Sequence, residues 1–242
     1  MTKSQLAFAF DFPTLEAAIP YMIRLRNYVG VAKIGLELFT REGPSAVTEA
    51  IYFGYDVMLD LKLHDIPQTV EGAVANACSL DVKFLTLHIA GGGAMIERAV
   101  ARARSENTGL QLVGVTVLTS LDTSDLRSLG VKSNVEDHVL ELARLGWSAG
   151  LGAFVCSPKE ASAIRNELPK ALLITPGVRL AAKENELQDQ KRVESPYYAI
   201  LTGANILVVG REIRNSSKPE EVALRVGRQI EQANTDLLEY RK

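Results

Sequence analysis

The segment Asp56-Val-Met-Leu-Asp60-Leu-Lys62-Leu-His64-Asp65-Ile-Pro67 holds the densest set of groups able to do acid–base chemistry. Side chains alternate along an extended chain. Met58, Asp60, Lys62 and His64 are therefore expected on one side, with Leu59, Leu61 and Leu63 on the other. If the leucines face a layer of helices, Asp60 and Lys62 point into the interior near the C-terminal end of a strand. Burying charge is costly without a partner, so this arrangement needs a reason. A carboxylate beside the ammonium keeps Lys62 cationic against desolvation. The plainer alternative is an ion pair that fills a layer of the core, although apolar side chains would fill it more simply.

Other residues could join this cluster. Lys33 sits in Val31-Ala-Lys33-Ile-Gly35. A lysine in so apolar a strand must either turn inward to a carboxylate or ligand, or snorkel to the rim. Asp60 of the next strand is the natural carboxylate, which makes a Lys–Asp–Lys chain plausible. Asp11 ends the first apolar run, where it can serve the site or cap the following helix; Thr14 is an equal candidate for that cap. Further on, Thr175-Pro-Gly177-Val-Arg179 and Val209-Gly210-Arg211 each combine glycine with arginine. Glycine lets backbone N–H groups approach an anion, and arginine can bind a phosphate through two parallel hydrogen bonds. His64, His88 and His138 are the only histidines. Without a His-x-His pair they read as structural residues, and no metal is expected.

The elements that must position these residues follow from apolar patterning. Strands are expected at Leu6–Phe10, Val31–Gly35, Asp56–Lys62, Phe84–His88, Leu112–Leu118, Ala153–Cys156, Leu172–Thr175 and Ile206–Val209. Amphipathic segments lie between them at Thr14–Tyr28, Pro44–Phe53, Thr69–Leu80, Gly93–Ser105, Val135–Leu145 and Pro158–Leu168. Pro196–Thr202 and Pro219–Thr235 also read as helices. Eight short runs rich in Val, Ile and Leu, each followed by a helix, describe a parallel α/β fold buried on both faces. An open doubly wound sheet usually has a glycine-rich turn after its first strand; Phe10-Asp11-Phe12-Pro13 stands there instead. A closed (β/α)8 TIM barrel, formed by residues 1–242 as a single domain, is the expectation. Barrel enzymes act at the C-terminal ends of their strands, and their seventh and eighth loops commonly bind phosphate. Both Gly-Arg pairs fall at those loops.

Composition fits this picture. The 242 residues are 47% hydrophobic and 23% charged, with a formal net charge of -2, which is ordinary globular composition. No basic excess suggests nucleic acid or a membrane surface as partner. Cys78 and Cys156 are the only cysteines, too few for a disulfide framework and without zinc-ligand spacing. No apolar stretch approaches the roughly 20 residues of a membrane span, and Met1–Phe12 lacks the features of a signal peptide. A reduced, cytoplasmic setting is expected.

Taken together, Asp60-Leu-Lys62-Leu-His64-Asp65-Ile-Pro67, Phe10-Asp11-Phe12-Pro13, Lys33-Ile-Gly35, Leu87-His88, Thr175-Pro-Gly-Val-Arg179, Asp189-Gln190 and Val209-Gly210-Arg211 resemble the orotidine 5'-phosphate decarboxylases. The likeness runs over essentially the whole chain. It implies removal of the C6 carboxylate of orotidine monophosphate to give UMP and CO2, in pyrimidine biosynthesis and without a cofactor. By this resemblance Lys62 is the general acid that protonates C6, and Asp60 lies against the leaving carboxylate. Asp65 completes a Lys33–Asp60–Lys62–Asp65 network by reaching into a partner subunit, which implies a homodimer with shared sites. Asp11 and Lys33 would hold the ribose and Thr69 would contribute across the interface. Ser120 would meet the pyrimidine, Gln190, Gly210 and Arg211 the phosphate, with Arg179 assisting. Leu180–Gln190 would be the loop that grips the phosphate. Gln68 stands where the family pattern has Asn, Ser120 where Thr is also common, and Leu180–Gln188 lacks a frequent Gly-Asp.

Two other readings are open. Magnesium-dependent relatives, keto-gulonate-phosphate decarboxylases and hexulose-phosphate synthases, share the Asp-x-Lys-x-x-Asp core, but the His64-Asp65-Ile66-Pro67 run argues against them. A non-catalytic barrel that binds a phosphorylated metabolite would have no need of Lys62 between two aspartates.

Overall fold

A computed structural model describes residues 2–180 and 194–240. Eight parallel strands close on themselves: β1 (Leu6–Ala9), β2 (Val31–Gly35), β3 (Asp56–Leu63), β4 (Phe84–His88), β5 (Gln111–Val115), β6 (Ala153–Val155), β7 (Leu172–Thr175) and β8 (Ile206–Val209). Closure is direct, with Ala7 of β1 opposite Val208 of β8. The fold is the expected (β/α)8 barrel.

Alternation decides which residues fill it. Ala7, Ala9, Val31, Met58, Phe84, Val113, Ala153, Ile174, Ile206 and Val208 form a cluster of their own, the packed interior of the barrel. Their neighbours in sequence point outward to the helices. Phe8 on β1 and Phe10 just past its end are fully buried and meet edge to face, with ring centroids 4.7 Å apart. Phe8 also stacks on Tyr21 of α1 (Leu15–Leu25). Small alanines inside and large aromatics outside let β1 serve both layers.

The helices around the barrel are α1, α2 (Leu36–Glu42), α3 (Pro44–Tyr52), α4 (Pro67–Cys78), α5 (Gly93–Glu106), α6 (Thr123–Ser128), α7 (Val135–Ser148), α8 (Pro158–Glu167), α9 (Pro196–Leu201), α10 (Arg211–Arg214) and α11 (Pro219–Glu239). Three of them, α2, α6 and α10, were not expected from patterning; each is too short to show a helical repeat. Five others, α3, α4, α8, α9 and α11, begin with proline, whose missing N–H costs nothing at a first turn and whose φ is already helical. Strand β5 is shorter than expected. Its ladder stops at Val115, and beyond it the Thr116 hydroxyl donates to the Val155 carbonyl at 2.9 Å, beside a longer bond of 3.5 Å from the Thr116 backbone N–H.

One strand is irregular. Leu59 of β3 stands opposite Leu85 and Leu63 opposite Leu87, so Asp60, Leu61 and Lys62 together face Thr86 alone. Lys62 takes φ +50° within this bulge. Simple alternation through Lys62 therefore does not hold, and bulges of this kind are used to re-aim side chains next to active sites.

Candidate active site

Strands β2 and β3 bring three charged groups to the C-terminal mouth of the barrel. Lys62 Nζ donates to Asp60 Oδ1 at 2.9 Å. Lys33 Nζ lies 3.4 Å from Asp60 Oδ2 and donates to Asp11 Oδ1 at 3.1 Å. The expected Lys–Asp–Lys chain is present, extended by Asp11. Thr14, not Asp11, caps α1 by accepting from the Ala17 N–H at 3.2 Å. Asp11 is thus left for Lys33, while its backbone carbonyl accepts from Arg214. Gly35 makes room for the chain. A Cβ there would lie 3.0 Å from both Asp11 Oδ1 and Lys33 Nζ.

The electrostatics follow from burial against charge. Burial pushes the Lys33 ammonium down, but Asp60 and Asp11 together outweigh it and hold Lys33 above the usual lysine range. Burial pushes the Asp60 carboxyl up, but Lys33, Lys62 and hydrogen bonds from Lys62 and Thr86 hold it below the usual carboxylate range. Lys33 and Asp60 are therefore both held in their ionised forms. His88, half-buried, is pushed down by burial and by His64 and Lys62, against the opposing pull of Asp60. Its ring sits 5.6 Å from that of His64. Among the described residues no three His, Cys, Asp or Glu side chains gather as a metal site.

A cavity of about 480 Å3 opens over these charges. Asp11, Lys33, Asp60 and Lys62 line one part of it. Gly177 and Arg179 after β7, and Gly210 and Arg211 after β8, line another. Gly177 takes φ +79°, open to glycine and costly for other residues. Gly210 packs against β1, where a Cβ would come within 3.3 Å of the Ala9 Cβ. The two Gly-Arg motifs thus share one cavity with the acid–base cluster, as their spacing led one to expect.

Other expected residues lie elsewhere. Asp65 is exposed beyond the end of β3, and its Oδ1 accepts from the Ile66 N–H at 2.6 Å. Thr69, on α4, is exposed too. Ser120 is exposed after β5, and its neighbour Thr119 lines the cavity. None of the three touches the cavity of this single chain. Gln190, with most of the Leu180–Gln190 segment, lies outside the described residues. Sequence reasoning also missed some participants. Thr86, fully buried on β4, donates its hydroxyl to Asp60 Oδ1 at 2.9 Å. It was legible in principle as a polar residue at an inward position of Phe84-Leu-Thr86-Leu-His88. Glu212 of α10 lines the cavity and accepts from the Leu180 N–H at 2.9 Å.

Residues 4–226 match the model of the family described as Orotidine 5'-phosphate decarboxylase / HUMPS family. This chain belongs to the orotidine 5'-phosphate decarboxylase / HUMPS family. Relatives named orotidine 5'-phosphate decarboxylase match along nearly their whole length. That of Anaeromyxobacter sp. (strain K) is 45% identical over 222 residues, covering 91% of this chain and 96% of the relative. That of Coxiella burnetii (strain RSA 331 / Henzerling II) is 44% identical over 214 residues, covering 87% and 90%. Among solved structures, the orotidine 5'-phosphate decarboxylase of Lactobacillus acidophilus superposes with a TM-score of 0.80 at 27% identity, covering 93% of this chain and 98% of that one.

Proposed function

We propose that this chain is an orotidine 5'-phosphate decarboxylase of pyrimidine biosynthesis, working without a cofactor. The observation that carries the reading is the ion-pair chain Lys62–Asp60–Lys33–Asp11 at one part of a cavity whose other part holds Gly210 and Arg211. In the reaction the bond between C6 and its carboxylate breaks, CO2 leaves, and the electron pair stays on C6. A carbanion of that kind is a localised charge, and a fixed ammonium beside it stabilises it. Lys62 then transfers a proton from Nζ to C6 and regains one from solvent. Asp60, next to the departing carboxylate, repels it in the ground state and anchors Lys62. Lys33 and Asp11 would take the ribose hydroxyls; Arg211, the Gly210 backbone and Arg179 the phosphate, with Gln190. Ser120 would reach the pyrimidine once substrate is bound.

Asp65 and Thr69 contribute, in this reading, to the site of a second copy. Their exposure outside the cavity of their own chain is what supports it. The protein is then a single-domain barrel that works as a homodimer. A cytoplasmic setting agrees with the two free cysteines and with the absence, among the described residues, of a helix long and apolar enough to cross a membrane. The relatives named decarboxylase favour this reaction over the other half of the family name.

Loss of orotidine monophosphate absorbance is the direct assay. Wild-type protein should decarboxylate it fully in excess chelator, whereas a requirement for magnesium would point to the other branch. Lys62→Ala should abolish nearly all turnover while the melting temperature holds. Activity within about tenfold of wild type, roughly 1.4 kcal/mol of barrier, would remove Lys62 as the proton donor.

A further inference from the structure

We propose that Thr86 is a positioning residue that fixes Lys62 and Asp60 relative to each other through one hydroxyl group. The proposal rests on the reading of Lys62 as proton donor. In the bulge of β3, Lys62 has left-handed backbone, φ +50°, a conformation disfavoured for any residue with a Cβ. Its backbone N–H finds its partner in a side chain, donating to Thr86 Oγ1 at 2.9 Å. The same hydroxyl has a single proton, and it goes to Asp60 Oδ1 at 2.9 Å. That oxygen also accepts from Lys62 Nζ at 2.9 Å. The bonds form a ring. It runs from the Lys62 backbone through the Thr86 hydroxyl and the Asp60 carboxylate back to the Lys62 ammonium.

Three properties follow. First, the hydroxyl accepts from an N–H while it donates to a carboxylate, so each bond strengthens the other. Second, the ring fixes the carboxylate plane, with Oδ1 toward Lys62 and Oδ2 toward Lys33. Third, Thr86 has no exposed surface, so water cannot stand in for it. Valine has the same shape and would fill the space equally well if Thr86 only packed. Thr86 does not line the cavity, so its effect on substrate binding should be small.

The test is kinetic and spectroscopic. Thr86→Val should lower kcat roughly 10- to 100-fold, the size expected when a reacting group is misplaced by about an ångström, with KM changed less than about threefold. Thr86→Ser keeps both hydrogen bonds and should restore kcat to within about threefold of wild type. The Asp60 carboxyl, followed by carbon-13 NMR, should titrate higher in Thr86→Val than in wild type or Thr86→Ser. That measurement needs no turnover, so it stands even if the substrate assignment fails. If Lys62→Ala is inactive but Thr86→Val keeps full kcat, the Thr86 proposal falls alone. An unmoved Asp60 titration would also overturn it. Should Thr86→Val not fold, Thr86→Cys, of similar size but with a weak donor, takes its place with the same expected ordering.

Discussion

At the scale of single residues, Gly35 shows how little space the charged chain has. An added methyl must sit 3.0 Å from both members of the Lys33–Asp11 pair. Gly35→Ala should therefore part that pair and lower stability by about 1–3 kcal/mol, the usual penalty of overpacking. Urea unfolding measures it; an unchanged midpoint would mean that the pair has room to shift. A second prediction concerns acid. The fold holds Asp60 as the anion, so the unfolded chain takes up the proton first as pH falls past 3.8. The Asp60 contribution is complete above that value and is lost as pH drops through the lower folded value. Wild type should therefore lose stability relative to Asp60→Asn between pH 5 and pH 3. Parallel stability curves for the two proteins across that window would rule this out. These residues were legible because charge at inward positions of a buried strand has few explanations. Lys33, Asp60 and Lys62 all announced themselves that way. Thr86 did not, since a threonine in a strand is commonplace and its role depends on a bulge that no spacing reveals. Asp11 against Thr14 was likewise undecided until the cap geometry was known.

At the scale of elements, the joint between β6 and α8 combines a helix start with a buried charge. Glu160 is 3% exposed, and its carboxylate accepts from the Ser157 backbone N–H at 2.8 Å and from the Ser157 hydroxyl. Ser157→Ala removes one of these partners where water has no access. The expected loss is about 1–3 kcal/mol, read as a shift of the urea midpoint with the slope unchanged. A shift below about 0.5 kcal/mol, the level of an ordinary surface change, would show that Glu160 does not need the Ser157 hydroxyl. Most long elements could be read directly, because eight apolar runs and their amphipathic partners impose two distinct periods. The end of β5 could not. Val117 and Leu118 continue its apolar run, yet they leave the ladder to line the cavity. Apolar character alone does not distinguish a wall of the barrel from a wall of its mouth. The short helices α2, α6 and α10 escaped for the opposite reason, having too few residues to carry a period.

At the scale of the whole molecule, the exposed Asp65 and Thr69 make assembly a functional question. If Asp65 serves a partner's site, a mixed dimer of Lys62→Ala and Asp65→Ala holds one site with both lesions and one intact site. Subunit exchange between the two inactive proteins should then restore up to about a quarter of wild-type activity, since half of randomly paired dimers are mixed and two-fold symmetry gives each one good site. No recovery after verified exchange would place Asp65 in its own subunit's chemistry. The closed ring of strands has another consequence, for synthesis. Strand β1 leaves the ribosome before the other seven strands and its partner β8 after them, with Ala7 waiting for Val208. Until β8 emerges the nascent sheet has an open edge of Ala7, Phe8 and Ala9, the kind of surface on which chains aggregate. Closing it last is a contact of very long range and therefore slow. A truncation that stops before Ile206 should be a client of chaperones, whereas the finished chain should not be.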